Sequence, residues 1–281
     1  PRQYSQFRIS YGGILEGIRD VRPGRNIRIK PFVTGRSTRS DGDDQSELDA
    51  GLDVKLGLGS SFVLDGTFRT DFSQVEADEQ QVNLTRFGLF FPEQREFFLE
   101  NQTAFQLGPP PTRTDLVPFF SRTIGLSPAG EPVPILGGLR LSGKSGRNLV
   151  GVLNIQTEED ERPGRPLEPA RNFTIARYGR EFSSNSMVGV MYMGREEDDA
   201  SNRVIGSDLR LNPTPTTSVD ALLMRSEQTG IGSGIAWRLG VDRNTLLSQI
   251  QLGYTSLGES FRNEMGFVPR QGVDILTASA V

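Results

Sequence analysis

The chain has 281 residues, 31 Lys and Arg against 35 Asp and Glu, a formal net charge of −4, 35% hydrophobic residues, and neither histidine nor cysteine. Such balance leaves no basic footprint for nucleic acid, and the missing histidine removes His-based triads, the commonest zinc sites and the usual general base at neutral pH. No stretch approaches the roughly 18 apolar residues of a spanning helix, which excludes a helical membrane protein, while the absence of cysteine is compatible with an oxidising envelope.

The length fits one unit, residues 1–281, because barrels and sandwiches often exceed ~200 residues as single domains. Pro1 is not a natural start, and Gly272 to Val281 reads as an unfinished strand. The expectation is therefore a part of a longer precursor or of a larger barrel.

A first strand is expected near Gln3 to Leu15, then a turn at Pro23-Gly24-Arg25-Asn26 and a strand over Ile27 to Arg39. Asp41-Gly42-Asp43-Asp44 reads as an acidic loop. Between Ser46 and Phe72 the period-two pattern is written twice. Leu48, Ala50, Leu52, Val54, Leu56 and Leu58 alternate with Asp49, Gly51, Asp53, Lys55 and Gly57; then Phe62, Leu64, Gly66, Phe68 and Phe72 alternate with Val63, Asp65, Thr67, Arg69 and Asp71. At roughly 3.3 Å per residue, each run is long enough for a tilted strand to cross an apolar layer of about 25 Å.

Residues 73–133 break the rhythm. Alternation resumes at Ile135 to Leu141, returns through Leu149 to Ile155, and continues in strands near Arg171 to Arg180, Met187 to Arg195, Arg203 to Leu211 and Thr216 to Ser226. The clearest late strand sets Ile231, Ile235, Trp237, Leu239 and Val241 against Gly232, Gly234, Ala236, Arg238, Gly240 and Asp242; its partner carries Leu246, Ile250, Leu252 and Tyr254. If all neighbours are antiparallel, the longer and more acidic connections fall at one end and the short turns at the other, as in outer-membrane barrels. A soluble sandwich or propeller also gives alternating strands, but neither accounts for that sorting. The expected fold class is all-β, an antiparallel transmembrane (outer-membrane) β-barrel of twelve or thirteen strands with a long irregular insert.

Several runs resemble a known family: Asp71 to Asp78, Val82 to Phe87, Phe90 to Asn101, Phe119 to Gly125, Pro134 to Gly138 and Gly266 to Arg270. They are similar to motifs of uncharacterised bacterial outer-membrane barrel proteins in which the barrel follows a carbohydrate-binding-family-9-like domain. Departures are Gln94 where Lys is common, Glu96 where Pro is common and Thr123 where Arg is common. The resemblance implies a sugar-binding-like domain ahead of residues 1–281 and a barrel that continues beyond them. The resemblance implies a bacterial outer-membrane location and a barrel, and it supplies no catalytic residues.

Aromatic residues crowd the insert, among them Phe87, Phe97, Phe98, Phe105, Phe119 and Phe120, and must be buried or face an apolar partner. Arg86, Glu93, Arg95, Glu96, Glu100 and Arg122 stand among them and need pairing if they share that burial. These six, with Asp53, Lys55, Arg69 and Arg238 on the polar strand faces, are the candidate lumen or plug residues. Asp49, Asp65, Asp71 and Asp242 extend the polar face, whose mixed signs imply no strong ion selectivity.

Two readings of the insert compete: a plug or constriction in the barrel mouth, and an extracellular lid held by structural salt bridges. Glu93, Glu96, Glu100 and Asp78 contain carboxylates of the kind a glycosidase uses, yet ion pairs to arginine explain the same residues. Asp41 to Asp44 and Glu196 to Asp199 lack EF-hand spacing. No metal, cofactor or catalytic residue is expected. The function read from the sequence is an integral outer-membrane barrel for passage or surface display of an envelope solute. A non-conducting scaffold is the alternative, and a surface carbohydrate-active hydrolase a weaker one. Expected partners are outer-membrane lipid, other envelope proteins and, through the family's neighbouring domain, a carbohydrate ligand.

Overall fold

A computed structural model of the protein describes residues 26–40, 43–69, 92–109, 116–127, 130, 132–161, 167–183 and 186–281, with backbone only for 36–40 and 43–47. The expected first strand and Arg86 lie outside these residues, as do Asp71 and Asp78. Twelve strands follow one another: β1 Ile27–Ser40, β2 Asp43–Leu58, β3 Phe62–Phe68, β4 Ile135–Ser145, β5 Asn148–Thr157, β6 Asn172–Ser183, β7 Ser186–Glu196, β8 Ser201–Thr214, β9 Thr217–Gln228, β10 Gly232–Asn244, β11 Gln249–Leu257 and β12 Val273–Ala280. They form one sheet in sequence order, each strand antiparallel to the next. The fold is thus the all-β antiparallel barrel wall that the alternation predicts. Among the described residues β1 and β12 end the sheet without pairing to each other.

Three local expectations are corrected. The acidic loop shrinks, because β1 and β2 stay paired to Ser40↔Asp43; with the ladder continuing so far, a two-residue connection closes the hairpin and Asp43 and Asp44 become strand residues. The run expected to reach Phe72 stops at Phe68, where Arg69 turns into the left-handed region (φ 52°). The turn expected at Asn212 to Pro215 is mostly strand, since β8 runs on to Thr214 through a register shift after Leu211. Pro213 falls in that shift, a place where a residue with no N–H is tolerated.

The connections sort by end. Those at 69–134, 158–171, 197–200, 229–231 and 258–272 share one end of the strands, and the short 59–61, 146–147, 184–185, 215–216 and 245–248 the other. At the first end 41–42, 197–200 and 229–231 are no longer than the turns at the other, so the expected asymmetry rests on 69–134, 158–171 and 258–272.

Period two sends alternate side chains to opposite faces. On the outward face Ile205, Leu223, Leu239 and Leu252 are all more than half exposed. On the inward face the guanidinium groups of Arg140 and Arg177 and the carboxylates of Asp65 and Asp208 are buried. Exposed aliphatics outside and buried ion pairs inside invert the usual soluble arrangement. The core lies against the inner face near the long-loop end, where Ile155, Ile175, Met191, Met193, Val204, Met224 and Ala236 pack with residues of the insert.

Candidate functional site

The connection from β3 to β4 returns to the inner face and lays its apolar side chains on it. Its described part contains α1, the single turn Glu96–Leu99, and two short 3-10 turns, Gln102–Phe105 and Ser121–Thr123. Phe98, Ala104, Phe105, Leu107, Leu116 and Ile124 are buried in one cluster with the inward residues of the wall. The backbone comes close enough to require a glycine beneath it: a Cβ at Gly151 would stand 2.9 Å from the Ala104 carbonyl oxygen.

A charged staple joins the two arms of the insert. Arg95 donates from Nε and Nη2 to the two oxygens of Glu93, each at 2.8 Å, in the planar fork favoured by guanidinium and carboxylate. It also donates to the carbonyls of Ile124 (2.7 Å) and Ser121 (2.8 Å), while the Ser121 hydroxyl donates to Glu93 at 2.7 Å. Backbone N–H groups of Gln94 and Arg95 reach the same carboxylate at 3.0 Å, which fixes the turn into α1. The guanidinium lies 4.2 Å from the centre of the Phe98 ring.

Burial pushes the Glu93 carboxyl up, but the hydrogen bonds and charge of Arg95, with the Ser121 hydroxyl, outweigh it and hold the group below the usual carboxylate value of 4.5. A depressed folded value means that the stabilisation is complete above the unfolded value and is lost as pH falls through the folded one. Lowering the pH from 7 to below about 4.5 is thus expected to loosen residues 92–124. Hydrogen exchange, corrected for its intrinsic pH dependence, reads this directly: opening should accelerate in acid in the natural protein, and Glu93→Gln should reduce the pH dependence, the remainder coming from Glu96 and its pair with Lys30. Equal protection at both pH values would contradict the role given to the staple.

A second group clamps the insert to the wall. Arg140 on β4 donates from Nε (3.1 Å) and Nη2 (2.7 Å) to Asp65 on β3, and from Nη1 to the carbonyls of Phe97 and of Glu100, the latter at 2.6 Å. Its Nη2 lies 3.4 Å from the Glu100 carboxylate, which also pairs with Lys55 of β2. Lys55 stands 3.7 Å from Asp65. One buried guanidinium therefore holds both wall and insert.

A third anchor uses Arg177 of β6 and Asp208 of β8, paired at 2.6 and 3.0 Å across the intervening β7. Gly189 on β7 makes that reach available, since a Cβ there would meet both side chains at 2.6 Å. Asp208 also accepts the backbone N–H of Gly108 at 3.1 Å, tying the insert to β8.

The segment after β11 completes the arrangement. Val117 and Phe267 exchange backbone hydrogen bonds at 2.9 Å, Phe120 N–H donates to Met265 O at 2.8 Å, and Asn263 donates to Pro118 O at 2.6 Å. The runs around Glu93, Ser121 and Phe267, far apart in sequence, thus meet in one place.

The predicted site residues fall only in part into these groups. Glu93 and Arg95 pair with each other, and Arg122 donates to the Pro92 carbonyl at 3.2 Å. Burial lowers the Arg122 pKa. Glu96 pairs with Lys30 of β1 at 2.8 Å on an exposed surface, and that hydrogen bond and charge hold its carboxyl low. Glu100 and Lys55 belong to the Arg140 clamp. Asp53 accepts a 2.7 Å bond from Thr67, Arg69 meets Asp49 at 3.3 Å in the open, and Arg238 stands 3.8 Å from Asp220. Arg140, Arg177, Asp208 and Asn263 were not singled out in the sequence, although the first three occupy polar slots of alternating strands. Among the described residues no cluster of three or more acidic side chains is placed to hold a metal.

Several solved structures are similar over most of the chain. The in-vitro folded trimer form of OmpT, an outer membrane protein of Vibrio cholerae, is 13% identical with a TM-score of 0.37, covering 90% of this chain and 96% of that one. Its loop L8 deletion mutant is 11% identical with a TM-score of 0.36, covering 90% and 98%. OpdQ of Pseudomonas aeruginosa is 11% identical with a TM-score of 0.31, covering 82% of this chain and 64% of that one. At these TM-scores none of the likenesses bears weight beside the chain's own two-faced sheet. No curated protein matches the chain. Residues 23–192 match the family described as a domain of unknown function, DUF5916. The match takes in the first strands, the insert with its Glu93–Arg95 staple and the Arg140 clamp, and the chain belongs to the DUF5916 family.

Proposed function

We propose that this chain forms the wall of a barrel in the bacterial outer membrane, and that residues 73–133 plug its lumen, so that passage of an envelope solute waits on displacement of the insert. The observation that carries this reading is the reversal of faces: aliphatic side chains are exposed outward, while the inward face holds buried ion pairs and, at the long-loop end, the insert. Antiparallel strands satisfy their backbone groups in lipid only as a barrel wall, with an apolar belt outside and polar residues within. Outer-membrane lipid is then the partner of the outward face. Carbohydrate is proposed as the solute on the family resemblance alone. The insert carboxylates Glu93, Glu96 and Glu100, each paired to Arg or Lys, act structurally in this reading.

A second reading is a non-conducting scaffold that anchors other envelope proteins. It draws support from the packing beneath the insert, where Ile155, Ile175, Met193 and Met224 have no exposed surface, as in a static core. Single-channel recording separates the two. The natural protein should be silent in planar bilayers, and Arg140→Ala, which frees the insert from the wall, should produce openings. Silence from both, in protein shown to be folded by heat-modifiable migration, would overturn the gated channel and leave the scaffold.

A further inference from the structure

A cavity of about 430 Å³ lies between the two arms of the insert and the inner face of the wall. That volume is within the roughly 300–1,000 Å³ of small-molecule sites. Its sides are apolar, built by Phe98, Phe105, Leu107, Leu116, Phe119 and Leu153. The rings of Phe105 and Phe119 stand 6.1 Å apart at 50° to each other.

Two charged side chains reach the cavity, Glu93 and Arg140. Both are committed elsewhere. Glu93 accepts from Arg95, Ser121 and two backbone N–H groups, and Arg140 is held by Asp65 and the carbonyls of Phe97 and Glu100. An anionic headgroup entering here would give up water and find no available cation. Neutral hydrogen-bonding groups are present instead: Gln102 and Thr103 are exposed at the rim, and Gln106 makes only a long 3.4 Å bond to Gly108 O.

We infer that this cavity is a binding site for an uncharged, mainly apolar organic solute whose hydroxyl or amide groups are met by the glutamines and Thr103 at the rim. This keeps the proposed plugged barrel but replaces carbohydrate with an apolar solute class, because walls of Phe and Leu offer too few partners for a sugar's hydroxyls. It rests on that function for the solute's passage but not for its binding.

The test uses the protein in lipid nanodiscs, with N-phenyl-1-naphthylamine as neutral probe and its anionic relative 8-anilinonaphthalene-1-sulfonate. The neutral probe should bind saturably above the signal of empty discs, and the sulfonate about tenfold or more weaker. Leu99→Trp and Thr103→Trp place bulk at the exposed rim, where folding is little affected, and each should weaken the neutral probe by about tenfold with unchanged thermal unfolding. Absence of saturable binding, or binding that neither variant changes, would overturn the site; equal affinity for the sulfonate would overturn the uncharged class. A silent channel with saturable binding would defeat the proposed passage and leave the site standing.

Discussion

Replacing Arg140 by alanine is expected to cost about 3–5 kcal/mol, the loss typical when one member of a buried ion pair is removed and the other is left in place. Asp65 would keep a carboxylate in a site where it is 4% exposed, and the carbonyls of Phe97 and Glu100 would lose their donor. The magnitude depends on this double duty. Removing the pair together, as Arg140→Met with Asp65→Leu, should recover part of the loss, because neither charge is then stranded. It should not restore the insert, whose carbonyls still lack a guanidinium. Urea unfolding in lipid gives the global cost, and protection of residues 96–105 from hydrogen exchange reports the insert. A loss below about 1 kcal/mol with protection unchanged would show that the clamp is incidental.

Leu239→Lys is the second large effect. Leu239 lies on the outward face of β10, 53% exposed, between Ala221 of β9 and Tyr254 of β11 in register. In water, exchanging an exposed leucine for lysine is nearly neutral. On a lipid-facing strand near the bilayer centre the same change costs about 2–4 kcal/mol. The comparison with Asp242→Lys is instructive, since Asp242 belongs to the inward row of the same strand with Arg238, and its substitution should leave membrane folding intact. Folding into vesicles measured as a function of urea distinguishes them; equal and small effects at both positions would contradict a lipid-facing wall.

The strands were legible because their physics is local. In β10 the alternation of Ile235, Trp237, Leu239 and Val241 with Ala236, Arg238, Gly240 and Asp242 is the pleat itself, and the structure separates the two sets onto opposite faces. The acidic stretch at Asp43 and Asp44 misled for the converse reason: turn-forming residues stayed in the ladder once their neighbours were paired. The staple between Glu93 and Arg95 could be suspected from a separation of two residues and the aromatic surroundings. The Arg140 and Arg177 anchors could not, because Asp65 lies 75 residues from Arg140 and Asp208 31 residues from Arg177. Alternation assigns each of them a face; only register supplies the partner. The meeting of Val117 with Phe267 joins segments that no periodicity connects.

Trp237, the single tryptophan of the chain, tests the central claim without any substitution. It lies on the outward row of β10, stacked at 5.2 Å on Tyr254. With the protein reconstituted in vesicles, lipids brominated along their acyl chains should quench its fluorescence strongly, while aqueous acrylamide should reach it poorly. Efficient quenching by acrylamide with none by the brominated lipids would place this face in water, and the barrel wall would have to be abandoned.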